Sequence, residues 1–574
     1  MSEVNPFELG DQMLIMDTHA QAIRNRLGHM EHMKFVERFW QKDARLWERP
    51  ENDPTIVGAM GWIKIAQTMK ERIPELQAFA KEIKEAGFER AVLAGMGGSS
   101  LAPLVLSEVF YREGKGIKVE ILDTTDPDTV LRIQRGGPLE KTLFIIASKS
   151  GTTAEPHAFD DYFFDEVSKI KLNPGENFVA ITDPGTEMDN SARARNFRHI
   201  FINFADIGGR FSALSYFGMV PAALMELDLE KLLNRAIEVC NENEGRPLQE
   251  CPAFALGTAL GTLSTLKIDK CTFWLPKRLE VFGLWLEQLI AESTGKEGKG
   301  ILPVAGEEPG TPSEYGIDRV FAYLRPNEED CTYMDARLAP LRDAGKPIVA
   351  ITINDDYDIA REMMRWELAT AVAGSVIGIN PFDQPNVQES KDVTKQYIAQ
   401  VEKEGSLPKI KPDAEADGLQ FYGAVKGDNL EELIFGFLGD VKSGDFITLQ
   451  AYLTESNEMT HCLTKLQEHL RDCTCLATTK GYGPRFLHST GQFHKGGPNG
   501  GHFIQLTKDD HEDVQLPGRH YTFGVFRNAQ VLGDNATLEK HGRRVIRIHL
   551  GKDPVSAVMK ILKAIEARPT VAHV

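Results

Sequence analysis

The 574-residue sequence predicts an α/β fold of doubly wound parallel sheets flanked by helices. Two observations carry this expectation. From residue 90 onward, short apolar strands alternate with amphipathic helical stretches, and such alternation builds a parallel sheet covered on both faces. The same texture restarts near residue 272 and again near residue 446, in a chain too long for one hydrophobic core.

Bulk composition narrows the class of protein. With 42% hydrophobic and 26% charged residues, the chain has the make-up of an ordinary globular protein. A formal net charge of −18 argues against a nucleic-acid or anionic-membrane partner, so any anionic ligand has to be held by local donors. The seven cysteines form no CxxC pair, and the spacing Cys473-Thr474-Cys475 is too sparse for a zinc site or a disulfide framework. MSEVNPFELG lacks a basic stretch followed by an apolar one and no run of eighteen apolar residues occurs, which makes a cytoplasmic, reduced setting the expectation.

In chain order, residues 1–85 read as an N-terminal helical segment, from apolar positions such as Met13, Ile15, Ala22 and Ile23, then Ile65, Met69, Ile73 and Leu76. A first α/β domain over 86–250 holds strands at 90–94, 119–122, 143–146, 178–181 and 199–203. A second, over 251–403, holds strands at 272–275, 320–324 and 347–353. The stretch KEGSLPKIKPDAEADG is charged, Pro/Gly-rich and aperiodic, and marks 404–430 as a linker. A C-terminal α/β unit follows over 431–574, with strands at 446–449, 474–478, 502–506 and 545–548 and helices at 457–472 and 554–567. Two or three similar units are plausible, although no simple repeat is visible.

Two loops carry chemistry. The first strand runs into GMGGSS, residues 95–100, whose glycines let backbone approach a ligand and whose Ser99 sits near a helix N-terminus. Ser100 occupies the last position of G-x-G-x-x-G, so the dinucleotide fingerprint fails, and alone this loop reads as a tight turn with a serine cap. SKSGTT, residues 148–153, makes the same kind of turn after another strand. Two such turns outside the carboxyl ends of one sheet point to a phosphate-type site in which Ser148, Ser150, Thr152 and Thr153 donate.

The succession GMGGSS, SKSGTT, GGRFS (208–212), AESTGK (291–296) and DQPNVQESK (383–391) resembles the ordered motif set of the glucose-6-phosphate isomerase family. Resemblance runs from about residue 90 to 391, with weaker echoes beyond. The chain looks most like the isomerase half found fused to transaldolase in some bacteria, here without the transaldolase part. This resemblance implies tandem sugar isomerase (SIS) domains with a C-terminal α/β extension. It implies reversible isomerisation of glucose 6-phosphate and fructose 6-phosphate through a cis-enediol, with no cofactor and no metal. The implied partners are a sugar phosphate substrate, a second copy in a homodimer and a separate transaldolase.

Residue by residue, the resemblance makes Ser99 and the Ser148, Lys149, Ser150, Thr152 and Thr153 loop the phosphate pocket, with Gly98 beside the sugar. It makes Arg210 the cation near the reacting oxygens, Glu292 the base, and Gln384 and Lys391 substrate contacts. The residues themselves agree where chemistry can be argued. A carboxylate can take a proton from one carbon and return it to the next. Glu292 ends a helix containing Phe282, Leu286 and Leu289 and precedes Gly295, so partial desolvation would raise its proton affinity. Arg210 follows two glycines, which allows close approach while its guanidinium offsets charge on an enediolate.

One departure concerns the histidine that opens the sugar ring. The family carries it in a GxxGQH-type motif between the glutamate and the glutamine-lysine segment, but no histidine occurs here between 293 and 383. A similar string, HSTGQFHKGGP, appears at 488–498, so the C-terminal unit is expected to fold back, or to pair across a dimer, and deliver His494 or His488. A non-catalytic phosphosugar-binding regulator is the alternative; it would keep the hydroxyl loops without needing Glu292, Arg210 and Lys391. An aminating relative would need an N-terminal cysteine, whereas residue 2 is Ser and the first cysteine is Cys240.

Overall fold

The computed structural model describes residues 7–111 and 115–566 and is built on three sheets. The first is wholly parallel, with the strands in the order Lys118–Leu122, Arg90–Gly95, Thr142–Ala147, Phe178–Thr182, His199–Ile202. Its central strands are buried along their whole length, which is why they read as unbroken apolar runs.

The other two sheets repeat that order. In the second, Leu302–Val304 lies at one edge, followed by Lys270–Trp274, Arg319–Pro326 and Ile348–Ile353, all parallel. In the third, Ala477–Tyr482 is the edge, followed by Phe446–Tyr452, Gly501–Thr507 and Arg544–His549, again parallel. Numbered within each unit, all three sheets run 2-1-3-4. The first sheet then adds a fifth parallel strand, whereas the second and third each add an antiparallel hairpin. Ligands of sheets wound in this way bind at the reversal between strands 1 and 3.

The two hairpins correct the sequence reading. Phe7–Leu9 and Gln12–Ile15 are strands of the second sheet rather than the start of a helical segment. The Met13/Ile15 spacing is a two-residue strand period, and Gly10, at φ 64°, makes the turn. The remainder of that segment is mostly short helices, among them Ala20–His32 and Ile73–Glu85. The stretch 404–430 is likewise no plain linker. Ala414–Ala416 and Leu419–Gly423 form a hairpin around Asp417-Gly418, both at positive φ, as a primed two-residue turn demands. The strand expected at 474–478 begins later, because the helix Asn457–Thr474 continues through its first position. The last helix is Pro554–Glu566; residue 567 of the expected span lies outside the described residues.

The C-terminal unit folds back onto both others. Val514, Leu516, Phe523 and Phe526 join the core on one face of the first sheet, beside Phe159 and Tyr162. Phe446, Phe493 and Phe503 close over Ala291, Leu302 and Val304 of the second unit. Charge fixes the same junction: Arg485 grips Asp123 through two hydrogen bonds of 2.7 and 2.9 Å, and Arg527 reaches Asp126 at 3.0 Å. Among the described residues no helix is long and apolar enough to cross a membrane.

Removing one member of a buried ion pair leaves the other charge uncompensated. Arg485→Met is therefore expected to cost about 3–5 kcal/mol in denaturant unfolding, and the double variant Asp123→Asn/Arg485→Met to recover most of that loss. A single-variant cost near that of an exposed pair, about 0–1 kcal/mol, would show that the junction does not depend on this contact.

Candidate active site

Backbone contact brings the loops together before any side chain does. Gly98 lies so close to the turn at 208–210 that a Cβ there would sit 2.0 Å from the Gly209 carbonyl oxygen. Gly97, at φ 55°, faces the C-terminal unit, and a Cβ on it would fall 2.7 Å from the His488 carbonyl oxygen and 2.8 Å from Gln288 Nε2. The GMGGSS loop is thus the point where the Arg210 turn, the Glu292 helix and the His488 turn meet.

Beside it, the 148–153 loop is arranged for an anion. The Ser148 hydroxyl is buried without a hydrogen-bond partner. Ser150 Oγ lies 3.1 Å from Thr152 Oγ1 and 3.5 Å from Thr153 Oγ1. Thr153 is the N-cap residue of the 15-residue helix Ala154–Ser168, and its side chain makes no capping bond to the first turn. Lys149 is committed elsewhere, paired to Asp183 at 2.5 Å. Ser99 is buried next to this loop on the neighbouring strand's turn.

Glu292, in the helix Phe282–Thr294, is 5% exposed, and burial pushes its proton affinity up against the opposing pull of Arg210. Arg210 Nη1 lies 3.6 Å from the Glu292 carboxylate. Its other donors are taken: Nε donates to Ser293 Oγ at 2.7 Å, Nη1 to Gln384 Oε1 at 3.3 Å, and Nη2 to the carbonyls of Pro381 and, at 2.9 Å, Asp383. Lys296 clamps the same segment, donating to the Asn380 carbonyl at 2.7 Å and to Asp383 Oδ1 at 2.8 Å. Burial and the Arg210 charge bring its ammonium down to about 8. Gln288 bridges Glu292 at 3.2 Å and the His488 carbonyl at 2.9 Å.

The two histidines part company. His488 Nε2 lies 2.8 Å from Glu155 Oε1, and Gln530 Nε2 donates to the same oxygen at 2.7 Å. Burial opposes the Glu155 charge, but His488 and Lys391 outweigh it and hold the carboxyl below its ordinary range. The Lys391 charge, from the helix Val387–Glu404, is thus felt at this carboxyl. His494 instead lies between Phe486 and Phe503, its Nδ1 3.3 Å from Gln450 Nε2 and its Nε2 without a partner. Burial, with Lys495 and Arg543 beside it, keeps its ring neutral.

The assembled cluster therefore contains Gly98, Ser99, the 148–153 loop, Arg210, Glu292, Gln384, Lys391 and His488. Sequence reasoning missed Glu155, Gln288 and Lys296. Lys296 ends a motif that was singled out, and Glu155 stands two positions beyond the hydroxyl loop, but neither position alone signals burial. A buried carboxylate between an arginine and a histidine held by a second carboxylate can move protons across a small ligand anchored by its anionic end.

The family model for phosphoglucose isomerase matches residues 61–300 of this chain. A glucose-6-phosphate isomerase of Desulfitobacterium hafniense is 28% identical over 422 residues, covering 65% of this chain and 79% of the relative. One from Prochlorococcus marinus is 25% identical over 416 residues, covering 65% and 77%. Among solved structures, a glucose-6-phosphate isomerase from Chlamydia trachomatis superposes with a TM-score of 0.56 at 21% identity, over 69% of this chain and 90% of that one. A hypothetical protein from Thermus thermophilus gives 0.55 at 24% identity, over 67% and 100%. These two likenesses are of fold.

Gly98→Ala would push the Gly209–Arg210 backbone away from the loop. A shift of about 1 Å in a positioned group costs on the order of 10²-fold in rate, so we expect a loss of that size in kcat/KM with the circular dichroism spectrum unchanged. Activity within a factor of about two of wild type would show that the close approach does not position the site.

Proposed function

We propose that the chain interconverts glucose 6-phosphate and fructose 6-phosphate by proton transfer through a cis-enediol, without a metal. The observation that carries this reading is Glu292, buried and proton-avid, 3.6 Å from a guanidinium whose other donors are spent on the protein. The phosphate is held by the 148–153 hydroxyls, by Ser99 and by the positive end of the helix Ala154–Ser168. His488, oriented by Glu155, opens and closes the ring by protonating and deprotonating the ring oxygen. Glu292 then removes the proton from C2 and returns it to C1, while Arg210 offsets the charge on the enediolate oxygens. Lys391 adds a further positive charge on the Glu155 side.

Fructose 6-phosphate conversion, coupled to glucose 6-phosphate oxidation with EDTA present throughout, tests the proposal. Wild type is expected to turn over, and Glu292→Gln to lose about 10²–10⁴-fold in kcat. In deuterated water the product should carry deuterium, because an enediol exchanges its proton through the carboxylate, whereas a hydride shift would carry no solvent label. Since burial raises the Glu292 pKa, the acid limb of kcat/KM should fall above the ordinary glutamate value of about 4.3. Binding without turnover would favour the phosphosugar-sensing regulator instead.

The histidine assignment has its own test. His488→Asn should lower turnover of the cyclic sugar by about 10²–10⁴-fold, whereas His494→Asn should leave isomerisation standing. The opposite pattern would move the ring-opening role to His494.

A further inference from the structure

The helix Phe523–Lys540 of the third unit carries a buried glutamine that none of the steps above uses. Gln530 is 3% exposed, and a carboxamide enclosed to that degree needs partners for its donors and its acceptor. Its Oε1 accepts the Thr125 hydroxyl at 2.8 Å, and its Nε2 donates to Glu155 Oε1 at 2.7 Å. The opposite amide orientation would set its oxygen against the Glu155 carboxylate, so charge fixes the one observed. Thr125 is itself fully buried and stands next to Asp126, which Arg527 of the same helix binds at 3.0 Å.

Glu155 Oε1 also lies 2.8 Å from His488 Nε2. An oxygen that receives an N–H from Gln530 is a poor place for a proton of its own, so the proton shared by Glu155 and His488 sits on the imidazole nitrogen. Nε2 is then a fixed donor, and Nδ1 is the nitrogen at which the ring takes up and releases a proton. The same helix pins the chain around the ring. Asp534, one turn after Gln530, pairs with Lys495 at 2.7 Å, and both are buried. Lys495 also donates to the Gly491 carbonyl at 3.3 Å, within the short helix Gly491–Gly496 that follows the His488 turn. One helix thus sets both the acceptor of the histidine proton and the segment that bears the histidine.

We infer, resting on His488 as the ring-opening group proposed above, that Gln530 is a positioning residue for ring opening: it keeps Glu155 the acceptor of the Nε2 proton, so that Nδ1 serves the sugar. As fructose 6-phosphate opens, the bond from C2 to the ring oxygen breaks and its electron pair stays on that oxygen, which takes the Nδ1 proton. The anomeric hydroxyl loses its proton to water as the carbonyl forms, and water returns a proton to the imidazole. Gln530 acts through Glu155 and His488 and has no part in the enediol step at Glu292, so the two steps can be read separately.

Fructose 6-phosphate closes its ring through the C5 hydroxyl, and 5-deoxyfructose 6-phosphate therefore stays an open-chain ketose that reaches the enediol without His488. The test compares, on full-length protein, conversion of fructose 6-phosphate with entry of solvent deuterium at C1 of 5-deoxyfructose 6-phosphate, followed by NMR. Gln530→Met, which keeps the side-chain length, is expected to lower kcat on fructose 6-phosphate by about tenfold to a hundredfold and to leave the exchange within a factor of about two of wild type. Thr125→Val removes only the hydroxyl that orients the amide and should show the same split at a smaller size. His488→Asn is the reference. If it shows no split, the ring-opening role of His488 fails and this inference with it. If His488→Asn splits the two readouts while Gln530→Met and Thr125→Val change neither, or lower both alike, the role of Gln530 alone is overturned.

Discussion

Keeping a carboxylate and a guanidinium together in a space with almost no water is the constraint on which this molecule depends. Burial raises the proton affinity of Glu292, and Arg210 opposes that tendency from 3.6 Å. The arginine is itself buried and would swing toward any acceptor, were its other donors not already fixed to Ser293, Gln384 and the carbonyls of Pro381 and Asp383. Its distance from Glu292 is therefore set by the segment 380–384. Lys296 fastens that segment from the other side, so the charge balance at the carboxylate is a property of four chain segments rather than of one pair.

A single doubly wound sheet offers few loops at its reversal point, and here the proposed function gives those loops to the phosphate. Groups that move protons have to come from elsewhere. The second unit supplies Glu292 on a helix whose last turns are buried, and the third supplies His488 and Gln530. Their relative placement rests on interfaces of two kinds: aromatic packing around Phe523 and Phe493, which sets distance, and the Arg485–Asp123 and Arg527–Asp126 pairs, which set register. The histidine-bearing unit reaches the cluster within one chain, so under the proposed reaction a proton-transfer group stands about two hundred residues beyond the carboxylate it serves.

Legibility in the sequence followed burial. Strands such as Arg90–Gly95 and Thr142–Ala147 are covered on both faces, so their apolar runs are unmistakable, whereas their order in the sheet is set by tertiary packing that no local pattern encodes. The hairpins at 7–15 and 414–423 were hidden because edge strands are short and half-exposed; Asp417-Gly418 was the available turn signal, masked by the charged Pro/Gly-rich context around it. The glycine and hydroxyl loops announced themselves by composition. Glu155 could not, because an acidic residue in the first turn of a helix is what the helix dipole favours anywhere. Its partners, His488 and Gln530, lie 333 and 375 residues away, and nothing local encodes them.

The same limit applies to the two histidines, six residues apart in one glycine-rich string, which sequence alone leaves equivalent. Their surroundings do not. A group that opens a sugar ring has to gain and lose a proton in turn, so its charged form needs a counter-charge. His488 has one in Glu155 at 2.8 Å. His494 is enclosed by aromatic rings with Lys495 and Arg543 as its charged neighbours, and that environment penalises the imidazolium from every side. The fold thus separates identical residues by the charge it carries to each. The ring denied a counter-charge is left as a neutral donor whose Nε2 proton has nothing in the protein to receive it.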